Sequence, residues 1–295
     1  MTQTTPRPAL TRLHGLALAV TASLLLAGTA QAAQPATPGS VVRDCKDCPE
    51  LVVLPAGSFI MGAPEGEVGR QPDEGPQHEV TFARPVAISR FQVLKGEWDV
   101  YLKETGYKMP SGDDREGRQC IAGIPRYQYE ARNPAVCLDF HEAQAYIQWL
   151  SKKTGKQYFM PSEALREYAA RGGSTGPFPF PLDPDKEYSI ALHANTYGPT
   201  DGFANIAPAG SFKPNAFGVY DMHGNVSEFT PDCYRDSYVG APSDGSAWTQ
   251  ANCKVLSMRG NDWIEPPIFS RSGNRNATVP SDRGDWLSFR VAREL

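Results

Sequence analysis

The alternation of apolar and polar positions predicts several short strands near the start of the chain. The segment LVVLPAGSFIMG (51–62) is apolar around a central Pro-Ala-Gly, the pattern of two short strands on either side of a turn. HEVTF (78–82) and PVAISRFQV (85–93) have the β-branched and aromatic residues of further strands. The apolar positions of LKGEWDVYLKETG (94–106) then recur at helical spacing, which predicts a helix that ends at Gly106.

Two further helices are predicted from their caps. Asp139 and Glu142 form a capping box, in which each side chain accepts a hydrogen bond from the backbone of the other residue, and Gly155 is a typical helix stop. The next helix has Ser162 as its N-cap and ends at Gly172. The apolar positions of the two helices are Ala143, Tyr146, Ile147, Leu150, Leu165, Tyr168 and Ala169. We expect both helices to be core-facing scaffold rather than parts of a site.

Regular patterning fades after Gly173. The chain has 27 glycines and 26 prolines among 295 residues, and the stretch 172–218 is rich in both. The backbone polar groups of such a segment need partners other than helices and strand ladders, such as disulfides, bound ions or side chains. The sequence therefore predicts an α+β domain with low regular secondary structure.

The first residues have the pattern of an export signal. Arg7 and Arg12 give a positive start, residues 16–27 form an apolar stretch, and Ala-Gln-Ala at 30–32 matches a small-x-small cleavage site. The apolar stretch is too short to span a bilayer. We therefore predict a signal peptide over 1–32 and no membrane anchor after its cleavage.

The remaining chain is predicted to be a flexible leader, 33–44, followed by one domain, 45–295. The leader is rich in Pro, Ala and Gly, and nothing after it resembles a long linker. The whole chain has a net charge of -4, and removal of the signal peptide makes it more acidic. Because nucleic acids and anionic membrane surfaces attract clustered positive charge, we expect neither as a partner.

The even number of cysteines favours disulfides in an oxidising compartment. Sequence alone leaves many connectivities open, and local pairing is predicted because short loops close at the lowest entropy cost. The expected pairs are Cys45–Cys48, Cys120–Cys137 and Cys233–Cys253. A redox or metal role for the Cys45-x-x-Cys48 pair stays open as the alternative.

Four segments together resemble the formylglycine-generating-enzyme (sulfatase-modifying factor) family. They are LVVLPAGSFIMG, MPSEALREYAARGG (160–173), NAFGVYDMHGNVSEFTPD (215–232) and the terminal block RGNDW…RSGNRN…LSFRVAREL (259–295). Their order and spacing match along nearly the whole chain after the signal peptide. The resemblance implies the family's C-type-lectin-like fold, elaborated with long loops.

The resemblance also implies two structural calcium sites. The first would use Asn195, Asp201 and the carbonyls of Thr196 and Phe203. The second would use Asp221, Glu228 and the carbonyls of Gly224 and Val226. Calcium needs several oxygens that converge on a turning backbone, and both stretches offer them. The alternative is that these residues form ordinary Asx turns and caps.

The terminal block departs from the family at its reactive centre. Family members hold copper(I) with two cysteines there, and the matching positions in this chain are Glu265 and Ser270. A soft copper(I) ion is not held by a carboxylate and a hydroxyl, so neither copper nor formylglycine formation is expected. The sequence also has no flavin, haem or NAD motif.

The family position of Glu265 makes it the candidate general base. It lies in WIEPP, where apolar and rigid neighbours would favour its protonated form. The alternative is a surface glutamate in a proline-bounded turn. His223 is a weaker candidate base.

Several neighbours of Glu265 are candidate substrate-binding residues. They are Trp263, Phe269, Ser270, Arg271, Arg275 and Trp286. The two arginines could instead form ion pairs with Asp262, Asp282 or Asp285, and at least one aromatic ring could belong to the core.

An exported member without the copper cysteines resembles the siderophore-maturation branch of the family. This resemblance implies a periplasmic oxidoreductase whose partner is a small-molecule siderophore precursor. The expected reaction is oxidation of the dihydropyoverdine chromophore precursor to pyoverdine, with Glu265 as general base. A lectin-like module that binds without chemistry, and an oxidase or hydroxylase that uses iron or copper on another substrate, stay open as alternatives.

Overall fold

The computed structural model describes residues 1–5, 37–110, 129–183 and 189–295. The predicted signal peptide therefore lies outside the described residues, except for its first five. Residues 35–295 form one unit by their internal contacts. In the described ranges, no helix combines the length and the apolar character needed to cross a bilayer.

The first sheet brings the two ends of the domain together. Its strands are β1 (Val41–Val42), β2 (Leu51–Leu54), β5 (Val86–Ser89), β6 (Tyr158–Phe159) and β11 (Ala292–Glu294). They follow the order β1-β2-β5-β11-β6, with antiparallel pairing throughout. The last strand of the chain thus lies between β5 and β6, and β2 and β5 are buried along their whole length.

Part of the predicted flexible leader belongs to this sheet. Val41 pairs with Val52, and the Gly39 N–H donates to the Val53 carbonyl at 2.8 Å. The prediction of a loose segment over 33–44 therefore does not describe its second half. The edge of β2 supplies partners for these backbone groups, and a composition rich in Pro and Gly does not reveal such a partner.

The second sheet carries the terminal block. Its strands are β7 (Ser227–Cys233), β8 (Leu256–Arg259), β9 (Asn276–Thr278) and β10 (Leu287–Ser288), in the order β10-β7-β8-β9. A separate hairpin pairs β3 (Gly57–Met61) with β4 (His78–Phe82). The strands predicted near the start of the chain are confirmed, although β5 is shorter than the predicted segment.

The three predicted helices are confirmed with their caps. They are α1 (Lys95–Thr105), α2 (Phe140–Thr154) and α3 (Glu163–Arg171). The Asp139 carboxylate accepts from the Glu142 N–H, and the Glu142 carboxylate accepts from the Asp139 N–H, each at 2.9 Å. Gly155 ends α2 at a φ of 66°, in the left-handed region that glycine adopts without strain.

Helix α3 differs from the prediction in its charged residues. All nine of its residues are buried, including two glutamates and two arginines. Each charge has a partner in the interior: Arg166 contacts Glu228 at 2.7 Å, for example. Buried charges of this kind are stable only when paired, so α3 is tied to the strands around it by ion pairs as well as by apolar packing.

The disulfide prediction is confirmed for two pairs, Cys45–Cys48 and Cys233–Cys253. Cys137 is also disulfide-bonded. Cys120, its predicted partner, lies outside the described residues. The bonded pairs are consistent with an oxidising compartment outside the cytoplasm.

Candidate functional site

The loop 261–270 connects β8 to β9 and carries the predicted reaction site. It begins at Asn261, which has a φ of 60°, and ends in a short 3-10 turn, Pro267–Ser270. The Asn261 amide donates to the Ser270 hydroxyl at 3.2 Å and so closes the loop on itself. Two backbone bonds fix it from outside: Trp263 N–H donates to the Asn225 carbonyl and Tyr197 N–H to the Glu265 carbonyl, each at 3.1 Å.

Glu265 is exposed at the tip of this loop. The apolar surroundings expected from its flanking residues are therefore wrong, because Pro266 is exposed as well and Ile264 is only partly buried. The side chain is accessible from solvent, and its backbone is held by Tyr197.

The buried carboxylate of the loop is Asp262. It is 3% exposed and accepts hydrogen bonds from the Ile264 N–H at 3.1 Å and the Ser227 hydroxyl at 3.2 Å. Burial raises the pKa of Asp262 to about 7, and the nearby carboxylates of Glu265 and Asp285 act in the same direction. Sequence reasoning considered Asp262 only as an ion-pair partner for arginine.

Ser270 is fully buried, so its predicted contact with substrate is wrong. Its hydroxyl is held by Asn261, and its carbonyl lies 2.7 Å from Nδ1 of His223. Burial lowers the pKa of His223 to about 4, and the rings of Phe178 and Phe180 pack beside it. The position that the sequence analysis matched to the family's second cysteine is thus part of the interior.

Arg271 is also scaffold rather than a substrate ligand. Its guanidinium contacts Glu67 at 2.6 Å and Glu74 at 2.7 Å, and donates to the Gly69 carbonyl. Arg271 forms ion pairs, as the alternative prediction stated. Its partners are glutamates of the distant segment 67–74 instead of the aspartates that the sequence analysis named. This pairing anchors the end of the loop to the start of the domain.

A cleft of about 630 Å³ opens next to the loop. Its lining consists of Gln71, Pro72, Asp73, Tyr234, Asp236, Phe269, Asn274, Arg275, Asn276 and Ala277. Phe269 is partly buried on this lining. The Arg275 side chain is fully buried and its guanidinium is paired with Glu163 at 2.7 Å, so its predicted contact with substrate is wrong.

The two predicted tryptophans have different environments. Trp286 is 6% exposed and packs in the main hydrophobic core, so its substrate-binding role is wrong. Trp263 is partly buried against a small cluster that includes Val136 and Val226, and its indole N–H donates to the Asp285 carbonyl at 3.4 Å. Trp263 is thus partly exposed, two residues before Glu265 in the loop.

The residues of the first predicted calcium site suit a hard cation. Asn195 is 1% exposed, and its side-chain oxygen has no hydrogen-bond partner in the described part of the chain. The Thr196 hydroxyl oxygen is likewise buried without a partner. The Asp201 carboxylate accepts from the backbone of Thr196 and Phe203, each at 2.8 Å, which bends the segment around it. Buried oxygens without a partner and a carboxylate on a turning backbone are the types of donor that calcium prefers.

The residues of the second predicted calcium site do not fit calcium. The Glu228 carboxylate contacts Arg166 at 2.7 Å and Arg290 at 2.9 Å. Asp221 accepts from the Gly210 N–H, and its carbonyl accepts from Arg290. A divalent cation beside these two guanidinium groups would be repelled.

The other two residues of that set pack closely instead of facing an open space. Val226 is fully buried. A side chain on Gly224 would come within 2.1 Å of the Asn195 carbonyl oxygen. Gly224 thus allows the segments 195–203 and 221–228 to approach each other.

Comparison with known proteins gives a family match over almost the whole described chain. The model of the sulfatase-modifying factor enzyme 1-like domain matches residues 37–295. The inactive C-alpha-formylglycine-generating enzyme 2 of Mus musculus is 26% identical over 288 residues, covering 83% of this chain and 85% of that protein. The formylglycine-generating enzyme of Streptomyces coelicolor is 25% identical over 303 residues, covering 88% and 93%.

One solved structure has a much higher sequence identity to this chain than these two relatives. The structure of PvdO from Pseudomonas aeruginosa is 68% identical, with a TM-score of 0.85, and the match covers 88% of this chain and 99% of that one. The Treponema denticola variable protein 1 has a TM-score of 0.66 at 18% identity, which supports the fold alone.

Proposed function

Because the chain belongs to the family of sulfatase-modifying factor enzyme 1-like domains and closely resembles PvdO, we propose that it oxidises the dihydropyoverdine chromophore precursor to pyoverdine. The similarity to PvdO is the observation that carries this proposal. The disulfides and the export signal support a periplasmic location. Glu265 and Ser270 at the family's cysteine positions support chemistry other than that of a copper thiolate site.

In the proposed reaction the substrate loses two protons and two electrons and gains one double bond. Glu265 accepts a proton from the ring that becomes unsaturated, and the second proton leaves to solvent. Dioxygen accepts the two electrons, takes up the proton held by Glu265 and one proton from solvent, and is released as hydrogen peroxide, which returns Glu265 to its carboxylate form. Deprotonation raises the electron density of the ring, so the electrons leave more readily.

The surface beside Glu265 suits a bulky substrate. Glu265 is exposed, Trp263 is partly exposed, and Phe269 of the same loop lines the 630 Å³ cleft. A planar ring can dock against these aromatic side chains while the rest of the molecule follows the cleft. Asp73 and Asp236 on the cleft lining favour a substrate portion with hydrogen-bond donors or positive charge.

Calcium is proposed at the first site only. Asn195, Asp201 and the carbonyls of Thr196 and Phe203 would hold the ion. Calcium supplies no redox chemistry there; it cross-links the segment 195–203, whose backbone contacts Glu265 through Tyr197.

The direct test is conversion of dihydropyoverdine by the purified protein and by Glu265→Gln. Loss of a positioned base lowers turnover by roughly a hundredfold or more. Glu65→Gln is the matched control, because Glu65 is also an exposed glutamate but lies outside the loop and the cleft. Mass spectrometry follows the loss of two hydrogens, and fluorescence follows formation of the chromophore.

Two results would contradict the proposal. Equal turnover by the wild type and Glu265→Gln would remove Glu265 from the reaction. Binding of dihydropyoverdine by the wild type without any turnover would instead indicate a lectin-like binding module.

A further inference from the structure

The segment next to Glu265 carries an aromatic side chain that the sequence analysis did not consider. Asn195 and Thr196 are each 1% exposed, whereas Tyr197, the residue that follows them, is 67% exposed. The two buried residues hold the segment in the interior, and the tyrosine side chain remains in contact with solvent. Single exposed aromatic residues are common on protein surfaces, so the position of this one decides whether it has a use.

Three backbone hydrogen bonds place Tyr197 directly beside Glu265. The Asn225 N–H donates to the Asn195 carbonyl at 2.7 Å, and the Trp263 N–H donates to the Asn225 carbonyl at 3.1 Å. The Tyr197 N–H donates to the Glu265 carbonyl, also at 3.1 Å. The segment that carries Tyr197 and the loop that carries Glu265 therefore lie side by side.

Side-chain hydrogen bonds anchor the segment on which Tyr197 lies. The Asn195 side-chain amide donates to the Asn205 carbonyl and to the Asn225 side-chain oxygen, each at 2.9 Å. The Thr196 N–H donates to the Asp201 carboxylate at 2.8 Å. Because the backbone on either side of Tyr197 is already held, a ligand that covers the ring orders little additional chain, and the entropy cost of binding is smaller.

Glu265 thus has aromatic side chains on two neighbouring segments. Trp263, two residues before it, is partly exposed, and Tyr197 beside it is exposed. Trp286, which the sequence analysis expected at this surface, is buried. Aromatic side chains pack favourably against the rings of a ligand, in offset-stacked or edge-to-face arrangements. A ring of the substrate that reaches Glu265 can therefore contact an aromatic side chain from each segment.

We propose that Tyr197 is a substrate-binding residue, whose ring packs against the chromophore ring of dihydropyoverdine and holds it beside Glu265. The inference rests on the proposed function for the identity of the substrate. Tyr197 contributes to affinity, whereas Glu265 contributes to proton transfer. Measurements of binding and of turnover therefore separate the two roles.

Binding of dihydropyoverdine is measured by calorimetry in the absence of dioxygen, so that the substrate is not consumed. Tyr197→Ala removes the ring and keeps the backbone N–H that bonds to Glu265. We expect its Kd to rise about tenfold, the size of one aromatic contact together with its buried area. Tyr197→Phe keeps the ring, and its Kd should stay within about twofold of the wild-type value.

Turnover in air gives a second readout that a purely structural role would not produce. A contact that is equally strong in the bound substrate and in the transition state affects KM and not kcat. We expect Tyr197→Ala to raise KM about tenfold and to keep kcat within about twofold of the wild type. A fall in kcat with an unchanged KM would indicate damage to the loop and would overturn the inference.

Val41→Ala is the control variant. Val41 is also an exposed apolar side chain, at 50% exposure, but it lies in β1 at the edge of the first sheet. Its Kd for dihydropyoverdine should equal that of the wild type. An equal loss of affinity in Val41→Ala and Tyr197→Ala would overturn the assignment of the contact to Tyr197.

An unchanged Kd in Tyr197→Ala would overturn the inference, whatever the turnover of the other variants. A raised Kd in Tyr197→Ala together with full turnover by Glu265→Gln would keep Tyr197 as a binding residue and overturn the proposed role of Glu265. A raised Kd together with no turnover by the wild type would keep the binding contact and overturn the proposed oxidation. The failures of the two proposals are therefore distinguishable.

Discussion

At the scale of single residues, the two positions that the sequence analysis matched to the family's cysteines have different environments. Glu265 is exposed, whereas Ser270 is fully buried and held by Asn261 and His223. Of the two side chains, Glu265 is therefore the one that solvent reaches, and it carries the proposed proton transfer.

The raised pKa of Asp262 predicts how the free energy of unfolding depends on pH. Its pKa is about 7 in the folded state and near 4 in the unfolded chain, so the folded state binds more protons between these values. The stability associated with its protonated form is complete below about pH 4 and is lost as the pH rises through about 7. At pH 8 the free energy of unfolding of Asp262→Asn should increase by about 4 kcal/mol relative to that of the wild type, compared with their difference at pH 4, as measured by urea unfolding. An equal difference at both pH values would contradict this prediction.

At the scale of elements, the sequence correctly predicted those features whose interacting residues lie close together along the chain. The capping box of α2 and the glycine at its end are confirmed because their partners lie within a few residues of each other. Burial of Arg271 and Asp262 could not be predicted in the same way. Arg271 is neutralised by Glu74, a residue of the segment before β4, and only the folded chain brings the two together.

The segment 195–203 is proposed to bind calcium. We expect calcium to raise the melting temperature of the protein above its value in EDTA, because an ion that binds only the folded state stabilises it. Asp201→Asn should abolish the calcium-dependent increase. Asp244→Asn is the control, since Asp244 is an exposed loop aspartate that bonds only its neighbour Ser246. A full calcium response in Asp201→Asn would contradict the proposed site.

At the scale of the whole molecule, buried ion pairs connect distant parts of the chain. Arg271, directly after the loop 261–270, pairs with Glu74. Arg275, directly before β9, pairs with Glu163 of α3, and Arg290, between β10 and β11, pairs with Glu228 of β7. Removal of one partner leaves an unpaired charge in the interior. The Arg271 pair therefore ties the chain directly after the loop 261–270 to the segment before β4.

The variant Arg271→Met measures how much a buried ion pair contributes to the free energy of unfolding. Arg271→Met leaves Glu74 buried without its guanidinium and should lower the free energy of unfolding by about 3–5 kcal/mol. Arg84→Met, at an exposed pair with Glu294, should change it by less than about 1 kcal/mol. Comparable losses in the two variants, measured by urea denaturation, would show that the buried network does not stabilise the fold in this way.

The central claim is that a carboxylate has taken over from a copper-thiolate pair. It is tested most directly by following dihydropyoverdine oxidation by the wild type and by Glu265→Gln in the presence of a copper(I) chelator. The account predicts an undiminished wild-type rate under chelation and loss of turnover in Glu265→Gln. A wild-type rate that disappears on chelation and returns with added copper would contradict it.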